Sequence, residues 1–330
     1  MANRFKSYAM YAACKNGHLS VCKLLFEMGA VMDITKATNE GYTPMWVACN
    51  KGHLSVCKWL FEVGAAAHIT KADNDGYSPM HVACQNGHLS VCKWLYEVGA
   101  AADITKANNR DFTPMYMACH YGHLLVCKWL FEVGATSDIT KTDMYRNTPM
   151  YVACKNGHLS VCKWLYKVGA VADITKTNRD SHDPMYIACM NGHLSVCKWL
   201  LEVGVGITKS SYHFTPMYTA YQHGRLSVCK WIILNVAVER RDIPEVTEKT
   251  ERFRRELSAW SKQIIRSHYI FRFVFLPGTF WTKQRKCSSH LWMLNSDGTP
   301  FKELIAEFVG VEYGEHLRNV HKFVEVLANS

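Results

Sequence analysis

The chain has 330 residues, enough for one or two domains with a substantial core, and its 48% hydrophobic and 20% charged residues exclude a disordered composition. The formal net charge is +10, which leaves acidic surfaces and nucleic acid open as partners. No apolar run is long enough to cross a bilayer, and Met1–Lys6 opens no signal peptide, so an intracellular, reducing setting is expected, the cytoplasm or the nucleus.

The chain repeats itself, and that fact precedes any reading of single elements. Met10, Met45, Met80, Met115, Met150 and Met185 recur every 35 residues, and Met217 follows after 32. The pairs Gly17-His18, Gly52-His53, Gly87-His88, Gly122-His123, Gly157-His158 and Gly192-His193 keep the same step, with Gly224-Arg225 at the end. Thirteen of the 14 cysteines fall in register, as Cys14 and Cys22, Cys49 and Cys57, and so on to Cys229. Cysteine that recurs like alanine or valine is a small buried hydrophobe and suits a compartment where thiols persist.

The first copy lacks a Thr-Pro start and a preceding loop, as expected of a terminal cap. The second copy shows the unit most clearly. Thr43 predicts a helix N-cap, Pro44 fills the first helical position, and Gly52 supplies the left-handed residue that ends this short helix. A second helix is predicted from Leu54 to Val63, with Leu54, Cys57 and Phe61 on one face and Val56, Leu60 and Val63 on another. Two apolar faces require neighbours on both sides. The stretch from Ile69 to Tyr77 is rich in turn formers and predicts a hairpin-like finger. The seventh copy has lost three residues between Gly204 and Thr215 and carries Tyr221 in place of the first cysteine.

Beyond the repeats, Arg241–Pro244 reads as a linker. A helix is predicted over 247–268 with Phe253, Leu257, Trp260 and Ile264 in one stripe, and Tyr269–Phe275 is compatible with strand or helix. Thr299-Pro300 predicts a short helix, and Tyr313–Leu327 a further one, with Leu317, Val320, Val324 and Leu327 in step. The expected division is a repeat array over 1–238 and a small, mainly helical domain over 239–330.

The signature Thr-Pro-Met-x-x-Ala-x-x-x-Gly-His, with seven copies over residues 7 to 236, resembles the ankyrin repeat family. Two departures stand out. Two extra residues follow the helix-ending Gly-Ala, as at Ala66-Ala67, and the motif's usual His is kept only at His81, with Tyr or Trp elsewhere. The resemblance implies an all-α solenoid of helix-turn-helix repeats with finger turns, whose concave face of fingers and first helices grips partner proteins. Within this one chain the second helix hardly varies, while finger tips and first-helix ends drift. On that contrast the candidate partner-binding residues are Tyr42, Trp46, Tyr77, Arg110, Phe112, His120, Tyr121, Tyr145, Arg146, Arg179, His182, Met190, Tyr212 and Phe214.

Sharper chemistry finds little support. His53 and Cys57, and their equivalents, have a spacing that metal sites use, but a structural zinc site wants four ligands and no Cys-x-x-Cys pair accompanies them. The histidine begins a helix, where its ring can hold backbone groups of an adjacent repeat. Cysteines facing a core are poor nucleophiles, and no phosphate-binding loop occurs, so no enzyme and no cofactor is expected. The segment 249–286 interleaves Arg252, Arg254, Arg255, Arg266, Arg272, Lys283, Arg285 and Lys286 with aromatic residues. It leaves nucleic acid or an acidic surface as the alternative partner to a protein. The expected protein is a monomeric, non-membrane scaffold or adaptor.

Overall fold

A computed structural model describes residues 2–207, 215–236, 243, 248–275 and 313–328, with side chains described at 8–207, 215–236, 243, 251–265 and 318–327. The finger tip at 211–214, the short helix after Thr299-Pro300 and the basic residues beyond 275 lie outside the described residues. Every regular element among the described residues is helical, and none is long and apolar enough to cross a membrane. The chain forms two compact units, Met1–Val205 and Gly206–Ser330.

The first unit holds six helix pairs: α1 (Ala2–Lys15) with α2 (Leu19–Glu27), α3 (Pro44–Lys51) with α4 (Leu54–Leu60), α5 (Pro79–Gln85) with α6 (Leu89–Leu95), α7 (Pro114–Tyr121) with α8 (Leu124–Glu132), α9 (Pro149–Lys155) with α10 (Leu159–Lys167), and α11 (Pro184–Asn191) with α12 (Leu194–Glu202). From α3 to α11 each first helix starts where a side chain satisfies a free backbone N–H. The Thr43 hydroxyl accepts from Trp46 N at 3.0 Å, and Thr113, Thr148 and Asp183 repeat the bond to Tyr116, Tyr151 and Tyr186 at 3.1, 3.1 and 2.7 Å. Gly52, at φ +76, ends α3 as the sequence predicts.

The second helices differ from expectation at their ends. In α4 and α6 regular helix stops at Leu60 and Leu95, and a wider turn follows around Gly64 and Gly99. The two extra residues of each copy then enter a one-turn 3₁₀ helix, Ala66–Ile69 in the second copy, which buries Ile69. The same turn recurs at Ala101–Ile104, Thr136–Ile139 and Val171–Ile174.

First helices pack on first helices and second on second along this unit. Met45, Met80, Met115, Met150 and Met185 are fully buried between them. The paired cysteines meet inside each copy as free thiols, Sγ to Sγ at 3.6 Å for Cys49 and Cys57. Aromatic pairs join each second helix, or the wider turn that extends it, to the next second helix edge to face: Phe26 with Trp59 at 5.8 Å, and Phe61 with Trp94, Tyr96 with Trp129, Phe131 with Trp164 and Tyr166 with Trp199 at 5.9 Å. Such a pair adds about 0.5–1.5 kcal/mol beyond its buried area. No helix pair can bury both of its apolar faces alone, and the stack supplies the missing cover.

In the second unit α13 (Pro216–Gln222) and α14 (Leu226–Asn235) pack with α15 (Glu248–Phe275) and α16 (Tyr313–Ala328). Tyr221, in the slot that holds cysteine elsewhere, meets Phe253 edge to face at 5.1 Å. Arg254 donates to the Leu327 carbonyl at 2.6 Å, and Asn319 to that of Leu234 at 3.2 Å. Leu257, Val320 and Phe323 are fully buried. The backbone of 269–275 continues α15, which settles the choice between strand and helix. Phe323, absent from the predicted stripe, is one of its central side chains.

Candidate protein-binding surface

Each finger is numbered by the copy it leads into, and each of the second to sixth is closed by one side chain. In the third finger Asp73 Oδ1 accepts from the backbone N–H of Asp75 and Tyr77 at 3.1 and 2.8 Å. Asn108, Asp143 and Asn178 close the fourth to sixth fingers by the same pattern, and the Thr38 hydroxyl accepts from Tyr42 N in the second. Asn and Asp suit this place because a short polar side chain mimics a turn of backbone. Neighbouring tips are then tied together through the main chain. Asn74 N donates to Glu40 O, Asn109 N to Asp75 O, Met144 N to Arg110 O and Arg179 N to Tyr145 O, at 3.1, 3.1, 3.3 and 2.9 Å.

The base of each finger rests on the first helix that follows it. Tyr42 stacks on Trp46 at 4.3 Å, Phe112 on Tyr116 at 4.7 Å and His182 on Tyr186 at 4.2 Å, while Tyr77 meets His81 edge-on at 6.0 Å. The position where the family's His is so often replaced reaches onward to the next finger in two ways. The Trp46 indole N–H donates to the Tyr77 carbonyl at 2.8 Å, and His81 Nε2 lies 3.0 Å from that of Phe112. The longer tyrosines bond the turn-closing residue instead. Tyr116 donates to Asp143 Oδ2 at 2.8 Å, and Asn178 donates to the Tyr151 hydroxyl at 3.3 Å. Burial and the Asp143 carboxylate push the Tyr116 hydroxyl pKa well above its usual range, so it serves as a donor throughout.

These contacts sort the candidate residues. Arg110, Tyr121, Tyr145, Arg146 and Arg179 are exposed; Tyr42, Tyr77, Phe112, His120, His182 and Met190 are half-buried; Trp46 is buried beneath Tyr42. Tyr212 and Phe214 lie outside the described residues. His120 and Tyr121 touch, ring to ring, at 4.7 Å, and the Tyr121 hydroxyl accepts from Gln85 Nε2 at 3.5 Å. Burial lowers the His120 pKa.

Two further exposed apolar side chains were not among the candidates. Leu125 is 69% exposed in a slot that holds serine in the other six copies, and Met144 is exposed at the fifth tip. The signal for Leu125 was present in the in-register comparison. The spacing of His and Cys that suggested a metal is used otherwise: rings such as His53 face backbone carbonyls, the thiols face each other, and no group of metal-binding side chains forms among the described residues.

Helix pairs stacked in register, with a constant frame and variable tips, define a repeat protein. The model for ankyrin repeats matches residues 2–73, 63–143, 100–178 and 150–242, and the chain belongs to the ankyrin repeat family. Ankyrin repeats generally mediate protein–protein interaction. No curated protein matches the chain.

Proposed function

We propose that this protein is a non-catalytic scaffold or adaptor that captures a partner protein on its finger tips and first-helix ends. The observation that carries this reading is the contrast within each copy: the turn-closing side chain and the tip-to-tip backbone bonds recur, while the residues they hold outward change from finger to finger. A tip already fixed by the fold loses little conformational entropy on docking, which favours affinity. Tyrosine and arginine, the exposed types here, are the residues that most often anchor protein interfaces. The in-register cysteines, free and buried, favour a reducing intracellular setting.

The nucleic-acid alternative gains no support from the described part of 249–286. Arg252 and Arg255 pair with Glu256 and Glu251 at 3.2 and 3.0 Å, and Arg254 is turned onto the Leu327 carbonyl.

The test is capture from a cell extract by the full chain and by a variant with Arg110, Tyr121, Tyr145 and Arg146 all changed to alanine, the retained proteins being identified by mass spectrometry. All four side chains are exposed, so the variant is expected to melt like the parent and to lose specific partners. A folded variant that retains the same set would remove these tips from the function. Oligonucleotide binding with a steep salt dependence would favour the alternative.

A further inference from the structure

We propose, resting on the protein-binding reading above, that the partner is held by the fourth, fifth and sixth fingers and presents to them an extended acidic segment carrying an apolar side chain. Each of these fingers carries one arginine at its tip: Arg110, Arg146 and Arg179. All three are exposed, and none forms a salt bridge with a described residue. The backbone bonds from Met144 to Arg110 and from Arg179 to Tyr145 set the three tips in one continuous row. Two exposed carboxylates, Asp111 and Asp180, share these tips, and Lys155 at the end of α9 adds a further exposed cation. The second and third tips carry Glu40 and Asp75 and no base, whereas the fourth and sixth balance Arg110 against Asp111 and Arg179 against Asp180, and the fifth, with Arg146 alone, is positive. A planar guanidinium binds a carboxylate through two parallel hydrogen bonds, and one such group per finger matches a chain laid across the fingers.

The backbone supplies a second argument. The second and third fingers place glycine, Gly41 and Gly76, in the left-handed turn position, at φ +89 and +84. The next three fingers hold Asp111, Arg146 and Ser181 there, at φ +61, +63 and +58. Aspartate tolerates this region better than most residues, because its short side chain can bond locally; arginine has no such compensation. The fold therefore keeps a long cation where glycine would be free of strain, as functional surfaces do. Tyr145, 49% exposed, sits beside that cation and supplies the apolar contact.

The test uses the full chain as bait for random peptides displayed on phage. Selected peptides are expected to be rich in Asp and Glu around an aromatic or aliphatic residue. Arg146→Gly should weaken the best peptide about tenfold or more, as loss of an interface anchor does. The same variant should melt no lower than the parent, because the strain is relieved; a residue with only a structural role would not combine these effects. Reversing Arg110, Arg146 and Arg179 to glutamate should turn the selection towards basic peptides. Equal binding by Arg146→Gly would overturn the proposal, and so would a failure to select peptides. Peptides without acidic residues that are lost when Tyr121 and Tyr145 become alanine would overturn it too, while leaving the protein-binding reading intact. Binding of single-stranded oligonucleotides in place of peptides would remove both.

Discussion

His123 reaches into the preceding copy, where its Nε2 lies 2.9 Å from the carbonyl oxygen of Gln85, 38 residues earlier. Gln85 closes α5, whose last carbonyls have no partner inside the helix, so the imidazole N–H supplies one from outside. His53, His88, His158 and His193 do the same for Lys15, Asn50, His120 and Lys155, at 3.0–3.1 Å. The ring must pass close over a glycine to get there. A Cβ on Gly87 would stand 2.5 Å from His123 Nδ1, and the residue already has φ +75.

Gly87→Ala is therefore doubly unfavourable. The left-handed backbone costs an L-residue about 1–2 kcal/mol, and forcing the ring aside about 1–3 kcal/mol more. His123→Ala should cost about 1–3 kcal/mol, through the abandoned carbonyl. The double variant should be more stable than the sum of the two predicts, because without the ring there is nothing to strike. Chemical unfolding of the four proteins measures this. Strict additivity would mean that ring and glycine do not interact.

Local chemistry explains which of these features were legible in the sequence. Caps such as Thr43 and Gly52 act within four residues of themselves, and the 35-residue step announces stacked pairs whatever their details. The recurring His at the start of the second helix in the first six copies pointed to a backbone bond between copies. What escaped the sequence depends on reach across copies. Trp46 reads as an interface aromatic, yet its N–H is satisfied by a carbonyl 31 residues on, and the ring is 8% exposed. In the fifth finger Asn147 replaces the usual aromatic, and only the fold shows that it accepts from Asn178 at 3.1 Å. The left-handed backbone at Arg146 was hidden as well, because no glycine marks it.

His81 makes the third copy sensitive to acid. Its Nδ1 accepts from the Ser78 N–H at 3.3 Å and lies 2.9 Å from the Ser78 hydroxyl, while Nε2 donates to the Phe112 carbonyl. The neutral ring fits both contacts; a protonated Nδ1 cannot accept. Burial, reinforced by nearby Lys106, pushes its pKa down to about 4 from an ordinary 6.5. A depressed pKa means that the unfolded chain binds the proton more readily. The contribution is full above pH 6.5 and is lost as pH falls towards 4, a change of about 3 kcal/mol. His81→Tyr, which installs the residue of the fourth to sixth copies, should flatten this part of the stability profile. Parent and variant losing stability in parallel between those pH values would remove His81 as the cause.

Asp103, Asp138 and Asp173 occupy one slot of the 3₁₀ turns, each almost fully buried with Oδ2 lacking a partner. Lys106 and Lys176 approach the first and third at 3.8 and 3.6 Å, but these lysines are exposed and offset little. Burial raises all three pKa values. The sign is opposite to that of His81: the folded chain holds these protons more tightly, so stability is lost as pH rises through the folded pKa. Changing all three to asparagine should raise the melting temperature at pH 7, and the gain should vanish in acid, where the parent carboxyls are protonated. A gain independent of pH would show that charge is not what these sites resist.

Leu125 separates stability from recognition most cleanly. It follows the first residue of α8, where every other copy has serine, and it stands 69% exposed. A side chain so little buried contributes almost nothing to the fold, and Leu125→Ser should change unfolding free energy by no more than about 0.5 kcal/mol. An exposed leucine in a slot otherwise kept polar does have a reason to exist if a partner covers it, since desolvating it favours association by about 25 cal/mol per Å². The serine variant should then fold as the parent does and release captured partners faster. If dissociation is unchanged, the docking surface stops short of α8 and is confined to the tips and first-helix ends.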